Sequence, residues 1–335
     1  SLELSGGEIE LADDVMNIEG AARGVFSATE DVLIFQQGEE HTMGELLWLD
    51  RSGSIVGQVS DAASYYSLAL SPDGSRVAAP VSNQIIGTHD IWIADVDRGV
   101  RSRVTFDDGE DLSPIWSPDG RDVYFISNRE GILELYRVTP GETGEPVKIV
   151  ASDQTLTPNS FSPDGRRVLL SIESDEAGSN LVVFDLENGD GLQTFRATRF
   201  NEEHGAFSPD GRWVAYSSDE SGRFEIYVTP ATGDGRHWQV STEGGRRPRW
   251  TRDGNEIVFL NITRDAIMAA DVDPSRETFR VGPTTRLFDV ALRLTPGRVW
   301  DVTPDGERFI INEAPERGRV SALELVTNWP AILED

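Results

Sequence analysis

Six copies of one four-residue signature recur along the chain. They read Ser71-Pro72-Asp73-Gly74, Ser117-Pro118-Asp119-Gly120, Ser162-Pro163-Asp164-Gly165, Ser208-Pro209-Asp210-Gly211, Thr251-Arg252-Asp253-Gly254 and Thr303-Pro304-Asp305-Gly306, and their aspartates lie 46, 45, 46, 43 and 52 residues apart. A period of this size marks an array of one supersecondary unit, stacked or radial. Each copy also has a local reason to exist. Proline presets φ at the first corner of a tight turn, aspartate tolerates the second, and glycine takes the left-handed position that closes it.

What flanks the turns fixes the unit. An apolar residue precedes most of them (Leu70, Trp116, Phe161, Phe207, Trp250), and a β-rich run follows, such as Val123-Tyr124-Phe125-Ile126 or Val214-Ala215-Tyr216. A third run comes about a dozen residues later, as in Ile91-Trp92-Ile93 and Ile226-Tyr227-Val228, then in most units a more polar fourth, as in Arg103-Val104-Thr105 and Trp238-Gln239-Val240. Short β-branched or aromatic runs bounded by turn residues read as strands. Four strands in about 45 residues is the arithmetic of a β-propeller blade. The sequence therefore predicts an all-β propeller occupying 1–335 as a single domain.

Seven blades are favoured and six are the alternative. The seventh is a degenerate unit in which Ser27-Ala28-Thr29-Glu30-Asp31 replaces the turn, with Val32-Leu33-Ile34-Phe35 and Leu46-Leu47-Trp48-Leu49 as its second and third strands. The last unit takes Leu323-Glu324-Leu325 as its third strand and lacks a fourth, while residues 2–16 are strand-like and have no partner of their own. Residues 2–16 are thus expected to close the ring as the outer strand of the last blade, hiding two exposed edges. The repeats would run from 20 to 326, with 327–335 as a C-terminal tail.

Composition narrows the function classes. A net charge of −28 argues against nucleic-acid binding, which needs a cationic surface. Strong acidity suits solubility, salt tolerance or a basic partner. The absence of cysteine leaves neither a disulfide framework nor a thiol nucleophile. No run of 18 apolar residues is present, so this chain is not expected to cross a membrane. It begins at Ser1 with no initiator Met and no signal peptide, which predicts a processed chain or an excerpt.

No catalytic motif stands out. The turn aspartates recur in one geometric setting and read as structural. Asp-rich pieces such as Asp107-Asp108-Gly109-Glu110-Asp111 lack the calcium-loop alternation. His204, beside Glu202 and Glu203, has no second histidine at i+4 and reads as a loop residue rather than a metal ligand. No Gly-x-Ser-x-Gly elbow is present. No cofactor and no metal are expected. Trp116, Trp250 and Trp300 are read as equivalent inner-strand residues that pack between blades.

At the turn signatures and at Ile126-Ser127-Asn128-Arg129-Glu130-Gly131 and Ser217-Ser218-Asp219-Glu220-Ser221-Gly222, the chain resembles the TolB-type, WD-like propeller repeats of bacteria. With Trp48-Leu49-Asp50-Arg51-Ser52-Gly53 and Val326-Thr327-Asn328-Trp329, it is most similar to the C-terminal propeller region of bacterial membrane-anchored Ser/Thr protein kinases. No Gly-rich phosphate loop, His-Arg-Asp or Asp-Phe-Gly element is present. The resemblance implies a periplasmic or extracellular, membrane-associated setting.

The expected function is a non-catalytic protein-binding or scaffolding module, an accessory part of a membrane-associated complex. The alternatives are small-ligand or peptide sensing in the central channel of a receptor kinase, and the propeller of a hydrolase or peptidase whose catalytic domain lies elsewhere. Topology sends all the uniform turns to one face and the variable blade-to-blade loops to the other, where binding residues collect. The candidates there are Tyr65, Tyr66, Asp108, Glu110, Asp111, Asp153, Glu202 and His204, followed by Arg246, Arg247, Arg293 and Arg298.

Overall fold

In the computed structural model the described residues are 43–313, except 84–86, 175–177, 234, 262, 264, 275–277, 293–294 and 296, together with strand segments at 17–18, 23–24, 26–28, 32–36 and 323–327. The chain divides into two compact units, Gly44–Glu313 and a second made of Ser1–Met43 with Ala314–Asp335.

Gly44–Glu313 forms a ring of six four-stranded antiparallel blades. Blade 1 comprises Ala69–Leu70, Arg76–Ser82, His89–Asp95 and Arg101–Arg103. Blade 2 comprises Asp111–Trp116, Val123–Ser127, Glu134–Val138 and Val147–Val150; blade 3, Leu156–Phe161, Arg167–Ser174, Gly178–Asp185 and Leu192–Arg196. Blade 4 is Glu202–Phe207, Trp213–Ser218, Glu225–Pro230 and Trp238–Gln239, and blade 5 is Arg246–Trp250, Glu256–Asn261, Ala266–Asp273 and Arg280–Asp289. Blade 6 is composite: inner strands Trp300–Val302 and Arg308–Glu313 pair with Gly44–Asp50, which pairs with Ile55–Ala63.

This corrects the expectation of seven blades. Arg308–Glu313 takes Gly44–Asp50 as its third strand, with Ile310 opposite Trp48, so the Leu46-to-Leu49 run completes the last blade instead of opening an extra one. The outer position expected for residues 2–16 is filled by Ile55–Ala63; residues 2–16 themselves lie outside the described residues. The ring is closed by two strands from the N-terminal side, not one. Leu323–Thr327, expected as a third strand of the last blade, pairs instead with Val32–Gln36 in the second unit, a sheet completed by Phe26–Ala28. Asn17–Ile18 and Arg23–Gly24 make a further two-stranded pair there. The tail from 328 onward is outside the described residues.

The core explains the continuous apolar runs. A blade is covered on both faces, so successive residues of its middle strands serve opposite neighbours. Val168 and Leu170 pack against Tyr124 and Ile126 of blade 2, while the intervening Leu169 packs with Phe207, Val214 and Tyr216 of blade 4. Blades 1 and 2 share Ala78, Ile91, Phe125 and Tyr136, and blades 4 and 5 share Trp213, Val228, Ile257 and Phe259. Leu49 and Phe309 join blade 6 to Val258 and Leu260 of blade 5, and Trp48 and Ile310 join it to Val77 and Ala79 of blade 1. All six blade junctions therefore carry an apolar cluster. Trp116 and Trp250 pack at equivalent positions, each donating its indole N–H to a carbonyl of the preceding blade, Ala69 or Ala206, at 3.0 Å. Trp300 is fully buried but stands three residues before the turn's Thr303, so Val302 holds the equivalent position.

The repeated turns are built alike. In Ser117-Pro118-Asp119-Gly120, Ser117 Oγ donates to Asp119 Oδ1 (2.6 Å), the Gly120 N–H donates to Ser117 O (2.8 Å), and the Asp122 N–H donates to Ser117 Oγ (2.9 Å). Gly120 has φ 70°, and a Cβ there would meet Pro72 Cδ of the preceding turn at 3.7 Å. The same glycine-on-proline seating recurs at Gly165 on Pro118 and at Gly211 on Pro163. The turns thus form a contiguous ring on one face of the six-bladed unit.

Candidate functional site

The inner strands of four blades carry a β-bulge at the same register. The ladder slips between Leu112 and Ile115, Pro158 and Ser160, Glu203 and Ala206, and Arg246 and Arg249. In three of these bulges a non-glycine residue takes the left-handed conformation: Ser113 (φ 52°), His204 (φ 56°) and Arg247 (φ 58°). Such a residue costs roughly 1–3 kcal/mol and persists only where its surroundings enforce it. Bulges re-aim side chains, and these three residues line the axial channel.

The channel has three successive parts, all lined by Asn159. On the turn face, Pro72, Pro118, Pro163 and Pro209 surround a mouth of about 320 Å³ that reaches Arg249, Arg298 and Asp301. On the loop face a mouth of about 520 Å³ is lined by Tyr66, Glu173, Glu203, His204, Arg246, Arg247 and Thr295, among others. Between them is a pinch of about 30 Å³, where His204 and Arg247 meet Arg249 and Arg298.

Each cation is held by specific partners. Arg247 is buried; its Nη2 donates to Thr295 O (2.7 Å) and its backbone N–H to Ser217 Oγ (3.1 Å). Arg249 donates through Nη1 to Pro248 O (2.7 Å) and through Nε to Asp301 Oδ1 (3.3 Å). Arg298 donates to Asn159 O (2.7 Å) and to Asp301 Oδ2 (3.3 Å). Arg246 lies over the Phe224 ring at 3.5 Å, with Glu203 Oε2 at 3.9 Å. Burial first, then the fields of neighbouring guanidiniums, push Arg249 down to about 9 and Arg247 down to about 10. Both remain cations at neutral pH. Burial and the fields of Arg247, Arg246, Arg249 and Arg298 hold His204 neutral, well below the usual imidazole range. Burial raises the Glu203 carboxyl against the pull of Arg246, and burial followed by the Glu110 charge raises the Tyr66 phenol.

The structure separates the residues singled out from sequence. Tyr66, His204, Arg246 and Arg247 share the loop-face mouth, and Arg298 joins His204 and Arg247 at the pinch. Tyr65 is core, its hydroxyl donating to Asp61 O at 2.8 Å. Asp111 is fully buried and accepts from Arg129 Nη2 at 3.0 and 3.1 Å. Glu202 is fully buried and accepts from Thr198 Oγ1 at 2.5 Å. Glu110 accepts from the backbone N–H of His89 at 3.1 Å, with His89 Nδ1 at 2.9 Å, and the His89 ring packs edge-on against Tyr66 at 5.5 Å. Asp108 and Asp153 are exposed and line neither mouth. Arg293 lies outside the described residues.

Sequence reading missed Arg249, Asn159 and Asp301. A signal existed for two of them. Two residues before the turn's Ser or Thr, the other blades carry Ala69, Ile115, Ser160 and Ala206, whereas blades 5 and 6 carry Arg249 and Asp301. Aligning the repeats on that register exposes the pair. Among the described residues no group of three or more His, Asp or Glu is placed to hold a metal ion, and no helix is long and apolar enough to cross a membrane.

Comparisons with known proteins agree on the fold. The family model described as the TolB beta propeller domain matches residues 142–289, which take in blades 3, 4 and 5. An uncharacterized peptidase, YuxL, of Bacillus subtilis is 27% identical over 205 residues, covering 47% of this chain and 31% of the relative. The Tol-Pal system protein TolB of Francisella tularensis is 29% identical over 159 residues, covering 44% of this chain and 34% of the relative. The chain thus spans about a third of the length of these curated relatives. The structure of a putative TolB from Agrobacterium tumefaciens superposes with a TM-score of 0.63 at 18% identity, covering 82% of this chain and 99% of that one. The narrower resemblance to kinase propellers stands on the sequence motifs alone. From the turn signature, the six four-stranded blades and these likenesses, Gly44–Glu313 is a six-bladed β-propeller whose repeats are similar to those of the TolB type.

Proposed function

We propose that this propeller is a non-catalytic protein-binding or scaffolding module, working outside the cytoplasm as part of a membrane-associated complex. The observation that carries the reading is the loop-face mouth, where Arg246 and Arg247 stand beside Tyr66 and His204 in a chain of net charge −28. Two guanidiniums gathered at one mouth of so acidic a molecule, with Glu173 and Glu203 beside them, orient an acidic group of a partner within a surface of mixed charge. Similarity to a Tol-Pal system protein supports the extracytoplasmic setting. The peptidase-like relative keeps open a second reading, in which the propeller accompanies a hydrolase domain elsewhere.

Crosslinking mass spectrometry on native membranes tests the proposal with matched charge reversals. Arg246→Glu alters the loop-face mouth, while Arg121→Glu and Arg166→Glu alter exposed positions beside the uniform turns. Arg246→Glu is expected to lower crosslinking to the partner at unchanged melting temperature, with the other two neutral. If only the turn-side reversals lower it, the functional face is the opposite one.

A further inference from the structure

We propose that the pinch of the channel is a carboxylate-binding site, in which Arg247, Arg249 and Arg298 receive one carboxylate group entering from the loop-face mouth. The lining of the pinch supplies these three arginines and His204, and no acidic residue. Each guanidinium is anchored by a backbone carbonyl at 2.7 Å, from Thr295, Pro248 and Asn159 respectively. A carbonyl fixes the orientation of a guanidinium without neutralising its charge. The carboxylates that flank the pinch sit to either side of it, Asp301 toward the turn face and Glu203 toward the loop face. Asp301 accepts from the backbone N–H groups of Leu70 and Val302 at 3.1 Å, and its charge is divided between two arginines at 3.3 Å each, longer than the usual charge-assisted bond.

Packing does not ask for this arrangement. At the register of Arg247 other blades carry Ser67, Ser113, Pro158, His204 and Val299, and at the register of Arg249 all but blade 6 carry small or apolar residues. The fold bears the desolvation of clustered cations and the left-handed backbone of Arg247, both of which oppose stability. Burial and mutual repulsion depress Arg249 and Arg247, and an incoming anion offsets both costs. Arginine's planar fork matches a carboxylate in a bidentate fashion. A pinch of about 30 Å³ suits a thin planar group at the end of a larger ligand, whose remainder lies in the 520 Å³ mouth. The ligand class is accordingly a carboxylic acid, either a small free acid or an acidic peptide segment.

Isothermal titration of the full chain at low ionic strength, using succinate, a tri-glutamate peptide and sulfate, tests the site. Succinate or the peptide should bind saturably, more tightly than sulfate, and weaken with added salt. Arg249→Gln should weaken binding about tenfold or more, the scale of one lost hydrogen bond to a charged group, while Arg121→Gln leaves it unchanged. Asp301→Asn, which removes the competing negative charge, should tighten it, an outcome that misfolding cannot imitate. Tighter binding of the peptide assigns the carboxylate to a protein segment, and tighter binding of succinate assigns it to a small acid. The absence of saturable binding, an unchanged affinity in Arg249→Gln, weaker binding in Asp301→Asn, or sulfate binding as tightly as the carboxylates would each overturn the proposal. The inference goes beyond the docking reading, and the two fail separately. Succinate binding with crosslinks intact in Arg246→Glu removes docking through Arg246 and leaves the carboxylate site.

Discussion

The two ends of the channel are made by the same six repeats in opposite ways. At the turn face, six signatures adopt one hydrogen-bonded design and seat on one another as a ring, glycine against proline at Gly120, Gly165, Gly211 and Gly254 and against threonine at Gly74 and Gly306. At the pinch and the loop face, four of the repeats share a backbone device, the inner-strand bulge, and three of these fill it with serine, histidine or arginine. Uniformity at one end serves closure of the ring. Variation at a fixed register at the other lets the blades present different side chains, as binding residues on a rigid scaffold do.

The sharpest break of this comparison would come from residues that belong to neither end. Phe125 is fully buried among Ala78, Ile91 and Trp116. Phe125→Ala is expected to cost about 3–5 kcal/mol through lost transfer energy and a residual cavity. Urea unfolding measures it, and a loss below about 1 kcal/mol would show that blade junctions are not where stability resides.

Next in size is Asp111, a loop-face candidate by sequence that the structure places in a buried ion pair with Arg129. Asp111→Ala leaves a guanidinium without its carboxylate and should cost about 3 kcal/mol, with succinate affinity unchanged in the folded fraction. Unchanged stability with lost binding would return Asp111 to the site.

At the turns, Asp119→Ala should cost on the order of 1 kcal/mol, read by thermal melts, with binding intact. The turn aspartates also predict a pH dependence. Hydrogen bonds from Ser71 and from the Ser75 backbone lower Asp73 to about 2, and Asp119, Asp164, Asp210, Asp253 and Asp305 are lowered in the same direction. A carboxyl depressed by folding stabilises above its unfolded value and loses that contribution as pH falls through the folded one. Stability should therefore fall between about pH 4 and pH 2. Asp73→Asn should flatten that slope, and an unflattened slope would show that the turn carboxylates are not responsible.

The smallest effect belongs to the pinch. Burial and the arginine fields keep His204 neutral in the fold, whereas the unfolded chain takes up a proton near pH 6.5. Stability should decline as pH falls below about 6.5 by up to one proton's worth of linkage, and His204→Asn should remove that part of the decline. Identical pH profiles for the two proteins would show that the channel field at His204 is weaker than the geometry indicates.

Much of the molecule was legible because its determinants are local. Turn chemistry repeats within four residues and apolar runs span single strands, so the four-stranded blade, the common face of the turns and the interblade packing of Trp116 and Trp250 followed from sequence. Blade number was decided by closure, a pairing across almost the whole chain. Two segments, Leu46-to-Leu49 and Leu323-to-Leu325, had the composition of a third strand for the last blade. Only the tertiary partnership of Gly44–Asp50 with Arg308–Glu313 chose between them. The channel was hidden for a related reason. An inner-strand bulge shifts the pleat by one residue, so simple alternation cannot say which of Arg246, Arg247 and Arg249 turns inward. Tyr65 and Tyr66, adjacent in sequence, likewise part into core and mouth. The sequence by itself determined the repeating unit, because short-range sterics and burial suffice for it. The tertiary structure decided how many units close the ring and which cations meet at its axis, because both depend on distant strands whose pairing no local pattern encodes.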